Sequence, residues 1–223
     1  MTTIGDKLFE HFTNLTLQNL PDNVGVLNPY VNDEVIEINK TFYNRYYNDS
    51  NPRILLFGIN PGRFGAGITG ISFTDPIALE NSLGIPNSFD KKPELSATFI
   101  HQVIKAYGGP ELFFSKFLIT AVSPLGYVKD GTNINYYDLK SLEAATKDFT
   151  YRTISEQYEI TGKLRTSVSI GQGKNLKCLS SINKDLNLFD SIEKLGHPRW
   201  VMQYKRKELD KHINSYIELL RSL

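Results

Sequence analysis

The chain has 223 residues, 40% of them hydrophobic, with a formal net charge of +1 at neutral pH, which is ample for one sizeable core. No apolar run approaches the ~18 residues of a membrane span, and no basic-then-apolar leader opens the chain, so a non-secreted, cytoplasmic protein without membrane contact is expected. Cys178 is the only cysteine, and His11, His101, His197 and His212 show no ligand spacing; internal disulfides, a thiolate zinc site and an iron–sulfur cluster are excluded, and neither metal nor cofactor is expected.

In chain order, Leu8, Phe12, Leu15 and Leu20 predict a helix within 4–20. GVLNPY (25–30) reads as a loop, and a helix follows over about 33–47. Ile54 to Phe57 form an apolar run too short for a helix and bounded by Pro52 and Gly58, as expected of a buried parallel strand. The next stretch, to Phe73, is so rich in glycine and proline that it reads as a long irregular loop. Asp75-Pro76 predicts a helix start and Gly84 its stop. A helix near 94–107 precedes a second strand, FLITAV (117–122). DGTNIN (130–135) reads as a turn opening a long helix from about Tyr136 to Glu159. TSVSI (166–170) and FDSIEKL (189–195) complete the strands, with helices over 172–182 and 205–221.

This alternation predicts an α/β fold: one domain over residues 1–223, a three-layer αβα sandwich around a roughly four-stranded, mainly parallel sheet. Three loops, 58–73, 121–135 and 196–204, leave the carboxyl ends of strands, where open α/β sheets place ligands. Their convergence is the argument for a site.

Asn60 is either a turn residue before Pro61 or a rigidly held amide able to orient a water through its carbonyl oxygen. Gly65, Gly67 and Gly70 spell GxGxxG, but the strand ends about seven residues too early for a dinucleotide fingerprint. Phe73 either fills the core or stacks on a planar ring. His197, between Gly196 and Pro198, is a structural hydrogen-bonder or a site residue. The sequence after it, Arg199-Trp200-Val201-Met202 and then Lys205-Arg206-Lys207, either folds back on the core or inserts apolar groups into base stacks while cations meet phosphates. Residues 1–150 carry a net −4 and residues 151–223 a net +5, a modest asymmetry that permits a basic face without identifying its partner.

GINPGRFGAGITGISF (58–73) and His197-Pro198-Arg199-Trp200 resemble the two motifs of the uracil-DNA glycosylase superfamily, most closely its single-strand-selective monofunctional branch. Weaker echoes at 25–30, 108–114, 123–125, 130–139 and 169–176 keep the same order, so the resemblance spans roughly 24–215. It implies a monofunctional DNA glycosylase, monomeric and with DNA as its partner, in which Asn60 orients the attacking water. His197 hydrogen-bonds the base oxygen, Phe73 stacks on the base and the backbone at Ile59 helps bind it. Gly62 stands where strictly uracil-specific relatives carry a blocking tyrosine, which opens the pocket to C5-substituted bases. Arg199 and Trp200, with Lys205, would contact DNA and fill the space left by the flipped nucleotide. Ala121 and Ser123 replace the family's base-reading asparagine and its cysteine, which implies loosened specificity compatible with xanthine. The alternatives are a DNA-binding module of the same fold with decayed catalysis, and a nucleotide-cofactor enzyme using the glycine loop.

Overall fold

The computed structural model describes residues 2–223. Its elements run α1 (Ile4–Thr13), β1 (Val24–Leu27), α2 (Asp33–Tyr46), β2 (Ile54–Gly58), α3 (Ala66–Thr69), α4 (Pro76–Asn81), α5 (Leu95–Tyr107), α6 (Pro110–Phe114), β3 (Phe117–Ala121), β4 (Gly126–Lys129), β5 (Thr132–Ile134), α7 (Lys140–Ile160), β6 (Thr166–Ile170), α8 (Lys174–Leu186), β7 (Ser191–Leu195), α9 (Pro198–Tyr204) and α10 (Leu209–Ser222).

Four strands form one parallel sheet in the order β3-β2-β6-β7. Every residue of the central strand β2 and of the edge strand β3 is buried, as expected where both faces of a parallel sheet are covered. The opposite edge strand, β7, keeps partly exposed Ser191, Ile192 and Glu193 and an exposed Lys194, as suits a sheet edge. Helices α5, α9 and α10 pack on one another, and α1 packs on α2 and α7, which also meets α8. This is the expected three-layer αβα sandwich. The chain runs from β2 to β3 on one side and later returns to β6 on the other, so the carboxyl ends of β2 and its neighbours border a crevice at the point where strand order reverses.

Several local expectations are corrected. The N-terminal helix stops at Thr13, capped by Asn14. Residues 24–27 are not loop but strand β1, which pairs antiparallel with β4; β4 in turn pairs with β5, giving a small second sheet. The 130–135 stretch is therefore the turn and second arm of a hairpin, and the long helix begins only at Lys140. Asp130 and Gly131 both have positive φ, 49° and 72°, the backbone a two-residue hairpin turn requires. The glycine-rich loop contains one helical turn, α3, stopped by Gly70 at φ 75°. The fourth strand starts at Ser191, the segment after His197 is helix α9 rather than loop, and the last helix starts at Leu209.

Candidate active site

Strand ends supply the walls of the site. Gly58, Ile59, Asn60, Pro61 and Gly62 leave β2, Ala121 ends β3, and His197 follows β7; all of them line one cavity of about 280 Å³ together with Phe73 and Arg199. That volume lies near the lower limit of ~300–1,000 Å³ usual for small-molecule sites. The segment from Asn133 to Asn135, at the end of the hairpin, closes another wall.

Asn60 is held from three sides. Its Oδ1 accepts from the Tyr136 backbone N–H at 3.0 Å, and its Nδ2 donates to the carbonyls of Ile134 and Pro61, both at 3.3 Å. The amide is thus locked in one orientation by the hairpin, and one carbonyl lone pair remains for a further donor such as water. A second amide braces the strand below: Asn175, on α8, donates to the carbonyls of Phe57 and Gly58 at 3.2 Å each.

His197 caps α9, its Nδ1 accepting the Arg199 backbone N–H at 3.2 Å. An accepting Nδ1 leaves the proton on Nε2, so the ring presents one N–H donor. Burial, reinforced by the Arg199 charge, lowers its pKa to about 4, and the imidazole is neutral at physiological pH. Phe73 sits in a left-handed backbone conformation, φ 52°, uncommon for a bulky residue. Its ring lies against Gly58, where an added Cβ would come within 2.7 Å of it, and its centroid is 6.3 Å from that of His197, the planes tilted by 54°. Gly58 is what lets this aromatic face reach the floor of the cavity.

Not every anticipated residue arrives there. Ser123 is fully buried and hydrogen-bonds Tyr127 Oη at 2.7 Å and the Leu125 carbonyl at 3.2 Å; it braces the turn after β3 rather than lining the cavity. Trp200 is 45% exposed and packs edge-on against His212. Lys205, at the end of α9, pairs with Glu208 at 3.1 Å and lies 6.0 Å from the Trp200 ring centroid. These two lie outside the cavity, and Arg199 alone of the three faces it. The GxGxxG run contains a single turn of helix with Ala66 on the cavity wall, too short to offer a dinucleotide phosphate the helix start that fingerprint needs. Conversely, Glu94 and Asn133 line the cavity without having been anticipated. Glu94 stands out in no sequence motif, and Asn133 was hidden inside a stretch read as a turn; the Asp130-Gly131 dipeptide was the available signal for the hairpin that delivers it.

Comparisons with known proteins identify the family and agree with the fold. A model of the Uracil DNA glycosylase superfamily matches residues 45–221. The chain belongs to that superfamily, and so to the DNA glycosylases. Among solved structures it is similar to the crystal structure of wild-type Pedobacter heparinus SMUG2, with 37% sequence identity and a TM-score of 0.96 over 100% of this chain and 98% of that one. No curated protein matches.

Proposed function

We propose that the protein is a monofunctional glycosylase that hydrolyses the N-glycosidic bond of uracil flipped out of DNA, with C5-substituted uracil and xanthine as further substrates. The observation that carries this reading is the convergence of Asn60, His197 and Phe73 on one cavity. A base extruded from the stack, at a cost of a few kcal/mol, would stack on Phe73. As the bond to C1′ lengthens, negative charge grows on the base, and a neutral His197 with its proton on Nε2 is suited to hydrogen-bond it. A fixed donor of this kind is typically worth about 2.7–4 kcal/mol. Asn60 would hold water on the sugar side through its free lone pair; an amide is a poor base, which suits a late-arriving nucleophile at an oxocarbenium-like centre.

Among the described residues the cavity lining contains no lysine, and an amine nucleophile for a lyase step is therefore not part of the reading. Ala121 leaves space that a larger side chain would fill, which favours the broader substrate range, while the space at Gly62 is met by the Glu94 carboxyl and the Asn133 amide. Arg199, beside the cavity, and the exposed Trp200 with Lys205 are proposed to meet the DNA on either side of the flipped nucleotide.

Single-turnover base release from uracil-containing oligonucleotides tests the assignment. Asn60→Ala and His197→Ala should each slow release by about 10²–10³-fold while binding to the same DNA changes little. If both variants keep the wild-type rate, the roles are wrong. A wild-type protein that binds these oligonucleotides without releasing any base would instead be a binding module.

A further inference from the structure

Glu94 is the only carboxylate among the described residues lining the cavity, and the roles given to Asn60, His197 and Phe73 leave it unused. Its backbone is pinned: the Glu94 N–H donates to Asp75 Oδ2 at 2.7 Å, while Asp75 Oδ1 caps α4 by accepting from Ala78 N–H at 2.7 Å. Its carboxyl oxygens take part in no hydrogen bond among the described residues. They lie against the glycine-rich loop. A Cβ on Gly62 would stand 3.0 Å from Oε1, and one on Gly65 would collide with Oε2. The loop is bare at these two positions where the carboxyl group enters. The Asn133 amide reaches the same place, its Nδ2 3.3 Å from that Gly62 Cβ position and its Oδ1 buried without a partner. Ala121, by contrast, contributes only a methyl group to its wall.

We propose that Glu94 is a further base-binding residue, whose carboxyl group hydrogen-bonds the edge of the extruded base left uncovered by Gly62, with Asn133 beside it. The inference rests on the glycosylase reading and deepens it: polar recognition absent at Ala121 is supplied from a different element of the fold.

The carboxyl's surroundings determine how it acts. Burial and the negative Asp75 raise its pKa to about 7, against the opposing pull of Arg199. Of the other ionisable groups on the cavity, His197 is neutral in this range and Arg199 carries its positive charge. Protonated, Glu94 offers one O–H donor and a carbonyl acceptor, enough to engage a carbonyl or ring nitrogen together with a neighbouring N–H. Ionised, it only accepts, and its charge opposes the negative charge growing on a departing base. Base release should therefore decline as pH rises through about 7, and the decline should belong to this residue.

The experiment compares wild type, Glu94→Gln and Glu94→Ala on oligonucleotides carrying uracil, 5-hydroxymethyluracil or xanthine, in single turnover between about pH 6 and 8, a window around the value at which this carboxyl titrates. Loss of the side chain should slow release by about ten-fold, the equivalent of one hydrogen bond of ordinary strength. Glu94→Gln, which keeps the shape and a donor, should stay within about three-fold of wild type at the acid end and show a flat profile where wild type declines. Because the glutamine variant is nearly isosteric, it keeps the test decisive should the alanine variant fail to fold. Wild-type rates for Glu94→Ala on all three substrates, or a glutamine profile with the wild-type slope, would overturn the assignment. Absence of base release from every substrate by the wild-type protein would overturn the glycosylase reading and this inference with it.

Discussion

Gly58→Ala is the sharpest probe of how the site is assembled. The added Cβ would stand 2.7 and 2.9 Å from two carbons of the Phe73 ring and 3.3 Å from the Thr120 carbonyl oxygen. Carbon–carbon contacts are comfortable at about 3.5–4.0 Å, so the ring must retreat by roughly 1 Å, since the strand behind it cannot. Phe73 has little freedom to comply: its φ of 52° already holds it in a sparsely populated region. Overpacking of this kind costs about 1–3 kcal/mol of stability. A displacement of about 1 Å in a substrate-positioning group can cost ~10²-fold in rate, and stacking on one aromatic face is worth about 1–3 kcal/mol. Single-turnover release of uracil should therefore fall by about 10- to 100-fold, with affinity for DNA little changed, because Trp200 and Lys205, two of the three residues proposed to contact it, lie outside the cavity. The loss should also be shared with Phe73→Ala: once the ring is gone, adding Gly58→Ala should cost little more. The reasoning fails if the single variant turns over at the wild-type rate, or if the two losses multiply in the double variant.

Two further predictions concern stability. Arg53 is buried beneath the site strand, its Nε donating to the Phe114 carbonyl at 2.7 Å and its Nη2 to Asp49 at 2.7 Å. Arg53→Met should retain most of the volume yet cost about 3 kcal/mol in urea denaturation, by leaving a buried acceptor unsatisfied and a carboxylate without its cation; a loss below ~1 kcal/mol would contradict this. His101 and His197 both have pKa values lowered to about 4, chiefly by burial, against about 6.5 in an unfolded chain. The unfolded state therefore binds protons first as the solution is acidified, and the stability these neutral rings contribute should be lost between about pH 6.5 and 4. Melting temperatures across that window should drop less in His101→Gln than in wild type, and an equal drop would count against the assignment.

Much of this architecture was legible in the sequence because parallel strands buried on both faces have a distinctive composition. Ile54 to Phe57, Phe117 to Val122 and Thr166 to Ile170 could hardly be anything else. His197 was legible for a related reason, since Gly196 and Pro198 fix its place at the end of a strand. The small antiparallel sheet was not. Its strands have only three or four residues, and β1 finds β4 about a hundred residues later in the chain, a pairing that no local pattern announces. The orientation of residues 199–205 depended on their being helical: reading them as a loop grouped Arg199 with Trp200, whereas one turn of α9 sends Arg199 to the cavity and Trp200 toward His212. Glu94 was invisible for a third reason. Its place depends on Asp75, nineteen residues earlier, accepting its backbone N–H.

The β4–β5 hairpin behaves as a vernier for the Asn60 amide. Its tip has room but little conformational latitude: a Cβ at Gly131 would meet nothing within 4 Å, yet the φ of 72° favours glycine, and the Arg63 guanidinium reaches the Gly131 carbonyl. Its base is held by different contacts, the Ile134 carbonyl and the Tyr136 N–H both meeting the Asn60 amide. Slipping the pairing by a single residue would reverse which side chains face inward, displacing Asn133 and carrying the anchoring peptide groups out of reach of Asn60. The strand register thus governs the orientation of the Asn60 amide from a distance, and a shift in its alignment would release that amide without altering any residue of the cavity.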